Sequence, residues 1–231
     1  MSDTQHTKTF LITGASSGIG AATARAAVAA GYRVALAARS TDRLAALAEE
    51  LGGPDRAIAV ACYVADHTAQ QAMVAATLAA FGRIDVVLAN AGIGSTAAGI
   101  ETGDPDNWRE MILTNFYGLA LTAKVCLPEI RKRRGHILLL GSRAGRRTIK
   151  GSIYGATKWA VTGLGYNLID ELEGTGVRCT LIEPGMVDTP FFETPKPDAL
   201  KAEDVANAIL YAVSQPAHVD VSEILVKPTS H

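Results

Sequence analysis

The chain has 231 residues, 48% of them hydrophobic, and its 22 basic and 23 acidic residues leave a net charge of -1. One globular α/β domain accommodates that length with a sizeable core, whereas two would be strained. Near neutrality excludes a field strong enough to recruit nucleic acid or an anionic membrane, so the expected partner is a small molecule.

Short apolar runs alternate with longer helical patterns from one end of the chain to the other. KTFLIT precedes GAATARAAVAAG, RVALAA precedes DRLAALAEEL, and AIAVAC precedes TAQQAMVAATLAAFG. DVVLAN then precedes a helix expected from Trp108 to Ile130, GHILLLGS one from Ile153 to Leu172, and VRCTLIEPG one from Ala202 to Val213, before a final strand in EILVKP. Strands this apolar, each followed by a crossover helix, predict a seven-stranded parallel sheet covered on both faces. Right-handed crossovers make this a doubly wound, single-domain Rossmann fold over residues 1–231. Three prolines in DTPFFETPKPDALK interrupt regular structure. Residues 190–201 therefore read as a short loop, either beside the ligand crevice or a mere connection.

The N-terminal MSDTQHTKTF lacks an apolar signal-peptide core, and no later segment supplies about 18 uninterrupted apolar residues. A soluble cytoplasmic protein is expected. Cys62, Cys126 and Cys179 are odd in number, widely spaced and set in apolar runs, which favours buried free thiols over a metal site or a disulfide framework.

Chemistry first enters at TGASSGIG, residues 13 to 20. Gly14 suits a tight turn out of the strand, Gly18 lets the backbone approach a diphosphate, and Gly20 lets the helix pack closely on the sheet. Ser16, Ser17 and Ile19 share this loop, at a helix N-terminus whose unpaired N–H groups and dipole favour an anion. At the end of the second strand stand Ala38, Arg39 and Ser40, with no acidic residue to bond a free ribose hydroxyl. A guanidinium and a hydroxyl suit a 2′-phosphate, so NADP(H) is expected over NAD(H). Further on, SIYGATKWAV sets Tyr154 and Lys158 four positions apart on a helix, hence side by side. A cation beside a phenol lowers its pKa from near 10 and suits it to proton transfer with a carbonyl oxygen.

With these motifs in order, the chain resembles a short-chain dehydrogenase/reductase of the NADP-dependent oxidoreductase type from Lys8 to Pro228. The resemblance is carried by TGASSGIG, LANAG (residues 88–92), TNFYG with Asn115, GSRAG with Ser142, YGATK, and EPGMVDT (residues 183–189). It implies a catalytic tetrad: Tyr154 as general acid and base, and Lys158 tuning it and bonding the nicotinamide ribose. Ser142 would polarise the substrate oxygen, and Asn115 would kink its helix and anchor a relay water. It further implies cofactor contacts from Asn90, Ala91 and Gly92, from Val64, and from Pro184, Gly185, Val187 and Thr189 around the nicotinamide.

Three positions depart from the family pattern. Tyr63 stands where an Asp usually bonds the adenine amino group, so that it stacks on or crowds the base. Phe116 follows Asn115 where Val is common, and Ile169 stands where Arg is typical on a helix that packs against a neighbouring subunit in this family. Divergence and engineering for stability both produce such apolar replacements. A short loop after EPGMVDT and no long tail predict an open pocket for bulky or varied carbonyls. Its expected walls are Ile93, Gly94, Arg143, Ile149, Met186, Phe191 and Phe192, with Ser142 and Tyr154 at its base. The aromatic pair favours an apolar or aromatic substrate group. Arg143, Arg146 and Arg147 are candidates to recruit a carboxylate, though solvated surface arginines are the plainer reading.

The function expected is NADPH-dependent interconversion of ketones or aldehydes and alcohols, as a carbonyl reductase or alcohol dehydrogenase without metal. The alternatives are a 3-oxoacyl-carrier-protein reductase docking through RKRRG (residues 131–135), a 3-hydroxy acid dehydrogenase, and a regulator that senses NADP(H) without turnover. The resemblance also implies a homotetramer, or a homodimer, assembled through the helices of Asn115 and Tyr154.

Overall fold

A computed structural model describes residues 7–229, so the ends of the expected 1–231 domain, including most of the polar N-terminus, lie outside the described residues. The alternating pattern becomes β1 (Thr9–Thr13), α1 (Gly18–Ala29), β2 (Arg33–Ala38), α2 (Thr41–Glu50), β3 (Ala57–Ala61), α3 (His67–Phe81) and β4 (Val86–Ala89). It continues through α4 (Pro105–Met111), a π-helical segment (Ile112–Tyr117), α5 (Gly118–Arg133), β5 (His136–Leu140) and a 3₁₀ turn (Arg143–Gly145). Then come α6 (Ile153–Leu172), β6 (Arg178–Pro184), β7 (Val187–Asp188), β8 (Leu200–Lys201), α7 (Ala202–Ser214) and β9 (Glu223–Val226).

Seven strands form one parallel sheet in the order β3-β2-β1-β4-β5-β6-β9. The side-chain period of two sorts each strand between two cores. Phe10, Ile12, Leu36, Leu88 and Leu138 enter the cluster shared with α1 and α7, while Leu11, Val87, Ile137 and Leu181 enter the one shared with α3, α5 and α6. Each fully buried side chain of this size contributes about 1.5–3 kcal/mol. Strand order reverses between β1 and β4, and the crevice at their carboxyl ends is where such a sheet takes a ligand.

The single helix expected from Trp108 to Ile130 is a 29-residue helical run from Pro105 to Arg133 with a π-helical turn inside it. Its start is set by Asp104, whose carboxylate accepts from Asp106 N at 3.0 Å, and by Pro105 in the first turn. The run is long and apolar enough to cross a bilayer by composition alone, but half of its most apolar stretch is buried inside the protein. It is a core helix. Residues 188–201 are also more ordered than the three prolines suggest, because Val187 and Asp188 pair in parallel with Leu200 and Lys201. Phe116 and Ile169 both pack, half-buried, against the α3/α5/α6 core of their own chain. All three cysteines are buried and free; burial holds the Cys62 thiol up at about 11 and those of Cys126 and Cys179 at about 12.

Candidate active site

A cavity of about 500 Å³ opens at the carboxyl ends of the strands. The β1–α1 loop forms its floor through Gly14, Ser16, Ser17, Gly18 and Ile19. Gly14 has φ of +65°, and a Cβ on it would come within 2.8 Å of the Ala91 Cα and the Asn90 Nδ2, so the loop seats against β4 only as glycine. Asn90 secures that seat, its Nδ2 donating to the carbonyls of Thr13 (2.9 Å) and Gly14 (3.2 Å). Ser17 caps α1 without any side-chain bond, which leaves the first-turn N–H groups aimed outward for an anion. Gly20 lies beneath, in contact with the Gly14 carbonyl and not on the cavity wall.

One end of the cavity is walled by Ala38, Arg39, Ser40, Arg43, Cys62, Tyr63 and Val64. Arg43, one turn into α2, joins Arg39 here, a neighbour that reading the β2 end alone does not reveal. The Arg39 guanidinium carbon is 6.0 Å from the Tyr63 ring centroid, and the Tyr63 hydroxyl donates to Glu110 Oε2 at 3.0 Å.

The other end holds Ser142, Tyr154 and Lys158, with Ile93, Gly94, Phe191 and Phe192 around them. Two segments bring the triad together. Ser142 lies two residues beyond β5 and caps the 3₁₀ turn, its Oγ accepting from Ala144 N at 3.1 Å. Ser152 caps α6, accepting from Gly155 N at 2.9 Å, and so fixes the helix that carries Tyr154 and Lys158. Lys158 is buried and its Nζ donates to the Leu140 carbonyl at 2.8 Å, with burial holding its pKa down at about 8.

The phenol differs from expectation. Burial raises the Tyr154 pKa above its ordinary value, opposed in part by the neighbouring Ser142 hydroxyl. The Lys158 ammonium, turned toward Leu140, stands 5.8 Å from the phenol ring centroid and does not lower it in this state. The Asn115 amide is tied to the protein at both ends. Its Oδ1 accepts from Ile93 N (2.8 Å), and its Nδ2 donates to the Ile93 carbonyl (3.0 Å) and to Thr157 Oγ1 (3.3 Å). It therefore braces the β4 loop against α6 from behind the cavity.

Above Tyr154 lies Phe191, with ring centroids 5.7 Å apart, and a Cβ on Gly94 would come within 2.9 Å of the Phe191 Cζ. Phe192 packs edge-on to Phe191 at 5.2 Å. Pro184, Gly185, Val187 and Thr189 complete the wall, together with Ala91, Gly92 and Asn90. Arg143, Ile149 and Met186 do not contribute to it: Ile149 and Met186 face solvent, Met186 with its carbonyl tied to Leu200 N at 3.0 Å, and Arg143 stays in the turn beyond Ser142. Nor is Arg146 free to recruit a carboxylate from solution. Its guanidinium is held by Glu183 (2.7 Å) and Glu223 (2.6 Å).

The residues present fit a dinucleotide. A glycine cradle with outward N–H groups meets a diphosphate, and among the described residues three cations (Arg39, Arg43 and Lys158) line the cavity and no Asp or Glu does.

Comparison with known proteins agrees with this geometry. Residues 8–199 match the family model described as short chain dehydrogenase. An uncharacterized oxidoreductase of Staphylococcus haemolyticus is 39% identical over 223 residues, covering 94% of this chain and 96% of that protein. Sulfoacetaldehyde reductase 2 of Chromohalobacter salexigens is 38% identical, covering 95% of this chain and 93% of its own length. Among solved structures, an alcohol dehydrogenase from the archaeon Thermococcus sibiricus complexed with 5-hydroxy-NADP superposes with a TM-score of 0.90 at 33% identity, over 98% of both chains. By its sheet, its cavity and these relatives, the chain belongs to the short-chain dehydrogenase/reductase family of oxidoreductases.

Proposed function

We propose that the protein is an NADP(H)-dependent carbonyl reductase or alcohol dehydrogenase, interconverting ketones or aldehydes and alcohols with Tyr154 as general acid and base. The observation that carries this reading is that Ser142, Tyr154 and the buried Lys158 ammonium line the same end of one cavity, beside the glycine loop's crevice. The Ser142 oxygen is engaged by Ala144 N, so its proton is left for the phenol or for a substrate oxygen seated beside it. Tyr154 protonates that oxygen during reduction and takes the proton back during oxidation. Lys158, held here by the Leu140 carbonyl, favours the phenolate form that the second direction needs once its ammonium turns toward the phenol. The nicotinamide, when bound, supplies or receives the hydride.

Selection of NADP(H) rests on Arg39, Ser40 and Arg43 at one end of a cavity that no carboxylate among the described residues lines, since a guanidinium pair matches a 2′-phosphate. Phe191 and Phe192 favour an apolar or aromatic substituent on the carbonyl. Docking of an acyl-carrier protein through RKRRG is disfavoured by position. The cluster ends α5 just before β5 begins, whereas Ser142 follows the far end of that strand, about 16 Å away at strand rise. A homotetramer or homodimer built on the helices of Asn115 and Tyr154 is supported by the exposed Ile112, Tyr117, Trp159 and Tyr166 on that face.

The test follows NADPH absorbance with a panel of ketones, aldehydes, hydroxy acids and an acyl-carrier substrate, using Tyr154→Phe as control. Loss of the proton donor lowers kcat by about 10²–10⁴. Equal NADPH oxidation by wild type and Tyr154→Phe refutes the mechanism, and turnover confined to the acyl-carrier substrate refutes the substrate class.

A further inference from the structure

Among the described residues Tyr63 is the one aromatic side chain at the Arg39 end of the cavity, and the mechanism makes no use of it. Its hydroxyl is committed. It donates to Glu110 on α4 at 3.0 Å, which anchors the far edge of the ring and leaves its face toward the Arg39 guanidinium, 6.0 Å from the ring centroid. Arg39 itself is exposed and on a flexible stem, so an opening of about 1 Å gives the 7 Å that a planar ring needs between two stacking partners at about 3.5 Å each. Groups able to read the edge of a base are scarce at this end. Among the described residues no carboxylate or carboxamide lines it, and each nearby carbonyl has one of its two acceptor positions taken: Ala38 by Cys62 N (3.0 Å), Tyr63 by Asp66 N (3.0 Å) and Val64 by Gln70 Nε2 (2.5 Å).

We infer that this chain holds the purine of its dinucleotide by its two faces, between Tyr63 and Arg39, and does not read the 6-substituent of the ring. The inference rests on the proposed binding of NADP(H) and adds a specificity to it. Stacking on an aromatic side chain is tolerant of base identity, because every base has a π face. A site that instead bonds a polar group rejects an analogue lacking it steeply, since the site's own polar groups are then left unpaired. The chain is thus expected to accept hypoxanthine in place of adenine.

The experiment is an equilibrium titration, with no turnover, of NADPH and of its deamino analogue, reduced nicotinamide hypoxanthine dinucleotide phosphate. Nicotinamide fluorescence reports both. Wild type is expected to bind the two with Kd values within about threefold of each other, Tyr63→Phe to behave alike, and Tyr63→Ala to weaken both together by about tenfold. Tyr63→Asp, which restores an acceptor, is expected to open a preference for NADPH. Discrimination by wild type of more than about tenfold against the hypoxanthine compound overturns the inference while leaving NADP(H) binding intact. That comparison needs no variant to fold. Unchanged Kd values for both ligands in a Tyr63→Ala protein with wild-type melting also overturn it, and failure of wild type to bind either ligand removes the cofactor reading with it.

Discussion

Arg146 offers a sharp test of what holds the site segments together. It follows the turn after Ser142, and its guanidinium bridges the wholly buried Glu183, next to Pro184 in the cavity wall, to Glu223 on the edge strand β9. Arg146→Met keeps an apolar stem and deletes the charge. Glu183 then keeps the Thr162 hydroxyl at 2.9 Å and is left facing the Glu223 carboxyl. Stranding a buried carboxylate costs about 3–5 kcal/mol, and the low end applies because Arg146 is 28% exposed and water reaches the gap. At about 2–4 °C per kcal/mol for a chain of this size, the melting temperature falls by roughly 6–12 °C. Burial already raises the Glu183 pKa, and loss of the guanidinium raises it further. A carboxyl whose folded pKa lies above its unfolded value binds more protons when folded, so the variant's deficit narrows as pH falls from about 8 to about 5. Adding Glu183→Gln recovers at least half the loss through the coupling of the pair. Thermal melts of the three proteins at the two pH values decide it. A shift under about 2 °C for Arg146→Met, or a deficit that widens on acidification, refutes the reasoning.

His136 is buried at the start of β5, where Thr180 donates its hydroxyl to the Val221 carbonyl (2.7 Å) and so takes the His136 Nε2 proton (2.7 Å) as acceptor. Burial lowers its pKa from 6.5 to about 3, so the unfolded chain binds the extra proton first as pH drops below about 6.5. Stability is full above that value and lost at up to about 1.4 kcal/mol per pH unit below it; urea melts of His136→Asn are expected to lack this component of the slope. Lys158 carries the opposite bargain between activity and stability. Its pKa is held at about 8 against 10.5, so burying the ammonium opposes folding by about 3 kcal/mol below pH 8, an effect relieved between pH 8 and 10.5. Lys158→Met is expected to abolish turnover and raise the melting temperature, and an unchanged or lower value contradicts that assignment. Phe191→Ala clears the space over Tyr154 and is expected to shift the kcat/KM ratio of a bulky aryl ketone to acetone by about tenfold toward the larger substrate. An unchanged ratio places Phe191 outside the substrate's path.

Strands and most helices were legible because burial on both faces writes continuous apolar runs, and β2 and α6 fall where RVALAA and Ile153 to Leu172 place them. The early start of α4 was legible in principle through Asp104 and Pro105, a cap and first-turn pair that apolar periodicity alone passes over. The π-helical turn at Ile112–Tyr117 was not, since a single wide turn leaves no distinct period in six residues. Site residues near a motif could be named from it, as with Gly14, Ser142, Tyr154 and Lys158. What escaped depended on side-chain direction and on partners remote in sequence. Arg146 meets Glu183 37 positions away, Tyr63 meets Glu110 47 positions away, and Lys158 turns to the Leu140 carbonyl instead of to its helical neighbour.

The short parallel pairing of β7 with β8 makes the segment between them a detachable part. Residues 189–199 leave and re-enter the body of the protein at two adjacent points, and Lys196 N also donates to Asp188 Oδ1 at 2.9 Å within that clasp. A graft of different length or composition can be inserted between Asp188 and Leu200 without altering the register of the seven-stranded sheet or the spacing of Ser142 and Tyr154. Loop libraries built on this clasp would vary the roof over the reacting carbonyl while the proton-transfer groups stay where they are.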